Sequence, residues 1–251
     1  MNMFTIDDRN RVRDHVLERA RVDVRVVAGA VVGSLANSEG DRWSDLDLTF
    51  GVSDGISIGE VLDDFTNDLR SEFSATHLFD LPSGAAIYRV FLLPGCLQFD
   101  LSFAPASQFR ALGPEFRLLF GEAAEQAHVQ PPQEQQLFGY AAHQALRARF
   151  CIERGRLWQA ESWVSGVRDY ALSLACHRRG LPAFHGRGFD LLPPEVRHAA
   201  TDALTRSLDR NELLRALTCA VGLLAEETGE VQELARKVVP QLRQLTQATL
   251  Q

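Results

Sequence analysis

An α+β fold is predicted: a mixed sheet with flanking helices in the first part of the chain, then a helical bundle. Three observations predict it. Up to about residue 125, short β-branched and aromatic runs alternate with segments of helical spacing. A proline- and glutamine-rich stretch, Gln126 to Gln136, follows. Beyond it almost every segment has a helical period. The predicted division is residues 1–125 and residues 130–251.

Asp7 to Val22 sets Val12, Val16, Leu17 and Ala20 among charged residues, with two acids at the start, and predicts a first helix. Val24 to Val32, interrupted by Arg25 and Gly29 and closed by Gly33, and Leu46 to Val52 read as two neighbouring strands joined by a polar stretch. Ile58 to Phe73 carries Ile58, Val61, Leu62, Phe65 and Leu69 on one stripe, a second helix. Ala86 to Leu93 and Leu97 to Phe103 flank Pro94-Gly95 and form a β-hairpin. The first half is thus helix, strand, strand, helix, strand, strand. Helices follow at about Gln133 to Arg154, Leu157 to Arg179, Pro194 to Leu208, Arg210 to Thr228 and Val231 to Leu250, and their short connections imply a bundle.

The 251 residues are 45% hydrophobic, enough for a sizeable core. There is no run of about 18 apolar residues, and MNMFTIDDRNRVRDHV lacks a signal-peptide stretch, so a soluble, cytoplasmic protein with no membrane partner is expected. Cys96, Cys151, Cys176 and Cys219 are scattered without a CxxC pair, which argues against a zinc site and a disulfide framework. Acids outnumber Lys and Arg by 33 to 26, a formal charge of −7 that repels a phosphate backbone and disfavours nucleic acid as a partner.

The chemistry is concentrated in Gly29-Ala30-Val31-Val32-Gly33-Ser34 and, after a polar loop, Ser44-Asp45-Leu46-Asp47-Leu48. On a strand, residues i and i+2 share a face, so Asp45 and Asp47 project together while Leu46 and Leu48 face the core. Two carboxylates at that spacing repel unless a cation neutralises them, and hard oxygen ligands suit Mg²⁺. Gly33 permits a tight backbone path, and the exposed amides there with the Ser34 hydroxyl are suited to phosphate oxygens. Asp100 is a lone acid in an apolar strand, with Phe99 and Leu101 on the opposite face; beside the Asp45 strand it would supply a third ligand.

Gly33-Ser34, ten residues, Asp45-Leu46-Asp47 and the later strand acid Asp100 together resemble the minimal nucleotidyltransferase superfamily, the DNA polymerase beta-like enzymes. The helical second half resembles the antibiotic-modifying members of that superfamily, such as the lincosamide and kanamycin nucleotidyltransferases. The resemblance implies an NTP co-substrate bound around Gly33, Ser34, Arg42 and Ser44, two Mg²⁺ ions on Asp45, Asp47 and Asp100, and transfer of a nucleoside monophosphate to a hydroxyl with loss of pyrophosphate. Its acceptor would be a hydroxyl-bearing small molecule such as an aminoglycoside- or lincosamide-like antibiotic, and the enzyme a homodimer. Where many relatives carry an arginine soon after Gly-Ser, this stretch reads Leu35-Ala36-Asn37-Ser38-Glu39-Gly40-Asp41-Arg42, and Arg42 is the arginine offered instead. No GxxxxGK[ST], strand-linked GxGxxG or HExxH is present, so Walker, dinucleotide and zincin readings lack support.

Relatives of the antibiotic-modifying kind imply a general base from the helical half. Glu161, on one helix face with Ser165 and Arg168, is the candidate and Asp169 the alternative; a solvated face with an ion pair is an equally open reading of either. Trp158, Trp163 and Tyr170 read as packing before stacking platforms. The basic segment Arg178 to Gly188 suits a triphosphate or a plain helix connector. Two rival classes stand beside the transferase. One is a toxin-antitoxin type protein, for which Arg179 and His185 fit an Arg, four to six residues, His ribonuclease spacing. The other is a catalytically dead nucleotide-binding module, which the intact Asp45, Asp47 and Asp100 argue against.

Overall fold

The computed structural model describes residues 3–37, 40–111, 115–124, 133–226 and 231–247. The chain divides into two compact units, Met1–Gln130 and Pro131–Gln251. In the first, helix α1 (Ile6–Val22) starts at a capping box in which the Asp8 amide donates to Thr5 Oγ1 at 3.1 Å and the Thr5 amide to Asp8 Oδ2 at 3.0 Å. Strands β1 (Val26–Val32) and β2 (Leu46–Val52) follow, then helix α2 (Ile58–Phe73), then β3 (Thr76–Ser83), β4 (Ala86–Leu93), β5 (Leu97–Pro105) and β6 (Phe116–Phe120). They form one sheet in the order β3-β4-β5-β2-β1-β6. Only β2 and β5 are parallel, because the chain passes through α2 and the β3–β4 hairpin before β5 returns beside β2.

Period-two alternation gives this sheet two different faces. Leu46, Leu48 and Phe50 of β2, Phe99, Leu101 and Phe103 of β5, and Phe91 and Leu93 of β4 pack with Val12, Val16 and Ala20 of α1 and Val61, Leu62, Phe65 and Leu69 of α2 in one buried cluster. Each fully buried large side chain contributes roughly 1.5–3 kcal/mol, so the register that buries them is strongly enforced. The same register turns Asp47 and Asp100 to the opposite face.

Two strands escape the sequence reading, and both are sheet edges. All eight residues of β3 are exposed and include Asp80 and Pro82, so no apolar alternation marks the strand. Pairing with β4 and the two-nitrogen grip of Arg89 on Asp80, at 2.7 and 2.8 Å, hold it in place. β6 has five residues and acquires its partner, β1, from across the sheet. β1 begins at Val26 rather than Val24, since Asp23 binds the amide and guanidinium of Arg25 and the Val26 amide closes back onto the Asp23 carbonyl at 2.9 Å.

The second unit is helical: α3 (Glu134–Glu153), α4 (Leu157–His177), α5 (Pro194–Asp202), α6 (Arg210–Leu223) and α7 (Gln232–Gln247). Its core is alanine-rich, with Ala141, Ala145 and Ala148 of α3, Ala160 and Ala171 of α4, Ala216 and Ala220 of α6 and Ala235 of α7, among Phe138, Val164, Val167, Leu213, Leu217, Val239 and Leu242. Trp163 and Tyr170 pack against this core, whereas Trp158 is 78% exposed. Buried Arg149 holds Glu153 at 2.9 Å and the Thr246 carbonyl at 3.4 Å, and Glu153 also takes Arg210, tying α3, α6 and α7 together. Helix α5 stops at Asp202, short of Leu208, where the Arg215 guanidinium caps the Asp202 and Leu204 carbonyls at 2.5 and 2.8 Å. α6 ends at Leu223 in a short 3₁₀ turn. The proline- and glutamine-rich connector up to residue 132 and the expected helix ends at Thr228 and Leu250 lie outside the described residues. Among the described residues no helix is long and apolar enough to cross a membrane.

Candidate active site

Asp45, Asp47 and Asp100 converge. Asp47 on β2 and Asp100 on β5 are direct partners in the parallel pair, and Asp45 stands two residues before Asp47, at the mouth of the strand. One carboxylate oxygen from each lies within 4.8 Å of the others, and all three residues are half-buried. Burial pushes the Asp100 carboxyl above its ordinary range; Gln98, donating to Oδ1 at 3.0 Å, offsets part of the rise, and the Asp45 charge adds to it. Three convergent carboxylate oxygens fit a hard divalent cation, and fit Mg²⁺ by donor type.

Glycine is required at position 33. Gly33 has φ +69°, and a Cβ there would stand 2.5 Å from Asp47 Oδ2. The backbone therefore lies directly against a metal-ligand candidate. The Gly33 amide donates to the Glu115 carbonyl at 3.2 Å, so it is engaged within the sheet and only part of the expected amide cradle is open to phosphate. The hydroxyls are better placed. Ser34 Oγ donates to Ser44 Oγ at 3.0 Å, and Ser44 Oγ meets the Asp41 amide at 3.0 Å and Asp41 Oδ1 at 3.3 Å. Ser34, Ser44 and Asp41 are thereby joined in one hydrogen-bonded network, and Asp45 directly follows Ser44. Arg42 is exposed; its guanidinium lies over the Trp43 ring, 4.6 Å from the centroid, and reaches the Phe4 carbonyl at 3.4 Å.

The sheet face that bears the acids becomes apolar away from them. Asp100 is opposite Val90 of β4, and Val90 is opposite Phe79 of β3; one rung on, Ser102, Tyr88 and Leu81 are aligned in the same way. Directly opposed Cβ atoms lie about 5 Å apart, so the row runs from Asp100 into exposed Phe79 and Leu81, 48% and 54% accessible. Tyr88 is hydrogen-bonded to Ser102, and burial raises the pKa of its phenol.

No family model matches the sequence, and no curated protein matches it. Solved structures similar to the chain include an aminoglycoside 6-adenyltransferase from Bacillus subtilis, 13% identical, with 92% of this chain and 96% of that one covered at a TM-score of 0.33. A Bradyrhizobium diazoefficiens CD-NTase, CdnG, in complex with GTP is 12% identical, with 98% and 87% covered and a TM-score of 0.27. The Elizabethkingia meningoseptica CdnE cyclic dinucleotide synthase with GTP and Apcpp is also 12% identical, with 98% and 92% covered and a TM-score of 0.28.

In the second unit, Glu161 on α4 accepts a hydrogen bond from Ser165 Oγ at 2.7 Å. Arg168 does not pair with it: its guanidinium takes Asp169 at 2.8 and 3.0 Å, which ties up the alternative acid in an ion pair. Arg179, in the turn after α4, donates to the Ala175 carbonyl of that helix at 2.9 Å, and His185 is exposed in a left-handed turn with φ 54°.

The residue that sequence reasoning missed is Arg9. Only 4% exposed, it donates from Nη1 to the carbonyls of Asp41 at 2.8 Å and Ser44 at 2.6 Å. Its signal was its phase, since Arg9 falls on the stripe of Val12, Val16 and Ala20, where a charged residue must have a buried partner.

Proposed function

We propose that the chain is a Mg²⁺-dependent nucleotidyltransferase that moves a nucleoside monophosphate from an NTP to a hydroxyl of a small-molecule acceptor, releasing pyrophosphate. The observation that carries this reading is the convergence of Asp45, Asp47 and Asp100 within 4.8 Å beside the Gly33-Ser34 turn. Asp45, Asp47 and Asp100 would hold the metal, two ions in the fullest case. When bound, Mg²⁺ supplies charge neutralisation on the triphosphate and lowers the pKa of the attacking hydroxyl. The chain's own residues do the rest. Ser34 and Ser44 offer hydroxyls to phosphate oxygens from a loop latched by Asp41, Arg42 is the cation nearest in sequence, and Gly33 lets the backbone approach Asp47.

In this reading residues 1–125 are the catalytic domain and residues 130–251 the acceptor-side domain, with Glu161 taking the acceptor proton while Ser165 orients its carboxylate. The apolar row from Asp100 through Val90 to Phe79 supports an acceptor with an apolar face beside its reacting hydroxyl. That favours lincosamide-like over aminoglycoside-like antibiotics, whereas the net charge of −7 favours a cationic one. Four free thiols suit a reducing, cytoplasmic compartment. The deciding experiment incubates the protein with Mg²⁺, each of the four NTPs and a panel of hydroxyl-bearing antibiotics. Acceptor-dependent pyrophosphate release that disappears in Asp45→Asn supports the proposal, and release that survives that substitution refutes it.

A further inference from the structure

The Asp41–Ser44 loop is held to helix α1 by one buried cation, and the atoms it grips adjoin a metal-ligand candidate. Asp45 precedes the first ladder residue of β2, Leu46, and so begins outside the hydrogen-bonded strand. The turn before it closes on the Asp41 carboxylate, which accepts from the Trp43 amide at 2.7 Å, while its backbone bond from the Ser44 amide to the Asp41 carbonyl is long at 3.4 Å. Arg9 Nη1 takes both carbonyl ends of that turn, Asp41 at 2.8 Å and Ser44 at 2.6 Å. The Ser44 carbonyl and the Asp45 nitrogen belong to one planar peptide unit, so a grip on the oxygen sets where Asp45 leaves the loop.

We infer that Arg9 is a positioning residue for the site: by pinning the Ser44–Asp45 peptide it presets the Asp45 carboxylate and the Ser44 hydroxyl for metal and triphosphate. The inference rests on the nucleotidyltransferase reading. Three features set Arg9 apart from an ordinary core arginine. It is 4% exposed, and among the described residues the hydrogen bonds that hold it come from backbone carbonyls rather than from a carboxylate. Its Nε is buried with no hydrogen-bond partner, a cost tolerated only where the side chain is fixed from elsewhere. Burial and then Arg13 hold its guanidinium below the ordinary arginine range, and Asp41 and Asp45 offset part of that, which places the guanidinium within the field of the acidic site. Buried Arg89 of the same unit, by contrast, is matched to carboxylates, gripping Asp80 and Asp63 and also Thr66.

Two effects of Arg9 on metal affinity oppose each other. Its positive charge repels an incoming cation, and its grip on the loop saves the metal from ordering Asp45. If positioning dominates, removing the guanidinium weakens binding; if charge dominates, removal tightens it.

The experiment measures Mn²⁺ affinity by electron paramagnetic resonance in the wild type, Arg9→Met, Arg9→Lys and Arg89→Met. A lost, well-placed hydrogen bond corresponds to about a tenfold change. Arg9→Met is therefore expected to weaken Mn²⁺ about tenfold, Arg9→Lys to recover most of that loss, and Arg89→Met to lower the melting temperature with Mn²⁺ affinity unchanged. Amide hydrogen exchange of Arg9→Met should quicken at residues 41–45. Unchanged or tighter Mn²⁺ binding in Arg9→Met overturns the inference, as does equal weakening in Arg89→Met, which would mean general loosening. If Arg9→Met does not fold, Arg9→Gln retains one donor and is held to the same two readouts. A wild type that binds no Mn²⁺ refutes the metal-site reading itself and the inference with it.

Discussion

Asp100→Asn is expected to stabilise the metal-free protein, because it removes a charge from a site where oxygens of three carboxylates lie within 4.8 Å of one another. Two unit charges at that distance repel by about 3.5 kcal/mol at an effective dielectric of 20 and by about 0.9 kcal/mol in water. The residues are half-buried, so relief of the Asp45–Asp100 pair is worth roughly 1–3 kcal/mol. The Gln98 hydrogen bond to Oδ1 survives, since asparagine keeps an acceptor there. For a unit of this size roughly 4 °C of melting temperature accompanies each kcal/mol, giving a rise of about 4–12 °C in EDTA at pH 7.5. The pH dependence follows from the raised carboxyl pKa. The folded protein resists ionising Asp100, so the wild type's stability is complete below 3.8, the ordinary pKa, and falls as pH rises through the elevated value. The gap between variant and wild type should open over that window and stay level above it. Melts followed by circular dichroism from pH 3.5 to 8, with EDTA throughout, measure this. A variant less stable than the wild type at pH 7.5, or a gap of equal size at pH 3.5, would refute the crowded-carboxylate account.

Asp45→Asn and Asp47→Asn should each abolish pyrophosphate release while circular dichroism shows the fold retained, and measurable transfer by either would remove the metal site. Each NTP is expected to raise the melting temperature only with Mg²⁺ or Mn²⁺ present, since a triphosphate and three carboxylates repel; an equal shift in EDTA would indicate a different nucleotide site. Gly33→Ala should cost about 1–2 kcal/mol in thermal stability for the left-handed backbone and, by displacing Asp47, weaken Mn²⁺ binding; titration of the purified variant reads both, and unaltered Mn²⁺ affinity would contradict the contact. Glu161→Gln is expected to lower kcat by roughly 10²–10⁴-fold with the Mg²⁺-dependent NTP shift unchanged, and a kcat–pH profile identical to the wild type's would return Glu161 to a surface role.

Legibility of the fold followed burial. β2 and β5 could be read because Leu46, Leu48 and Phe50, and Phe99, Leu101 and Phe103, alternate with residues of the other face and must pack against α1 and α2. β3 and β6 could not, because an edge strand draws its stability from main-chain pairing with one neighbour, and that neighbour is invisible in a local window. No alternation marks Thr76–Ser83 as a strand, and the grip on Asp80 comes from Arg89, nine residues on. Likewise the end of α5 was set by Arg215, a residue of the next helix.

Within the site the same division separates side chains that bind from side chains that place them. Carboxylates two apart on a strand share a face by geometry alone, so Asp45 and Asp47 announce themselves; Asp100 needs only a parallel neighbour with the right register, and Asp47 is that neighbour. The supports belong to other segments. Arg9 lies 32 and 35 residues before the carbonyls it holds, and the demand for glycine at 33 comes from an Asp47 oxygen fourteen positions later. What sequence does retain of such a support is a violation: a charged residue in phase with an apolar stripe, as Arg9 is with Val12, Val16 and Ala20. Burying that charge without compensation would cost more than a small unit's core can offset. A partner had to exist, and the carbonyls of the loop leading into Asp45 and Asp47 supply it.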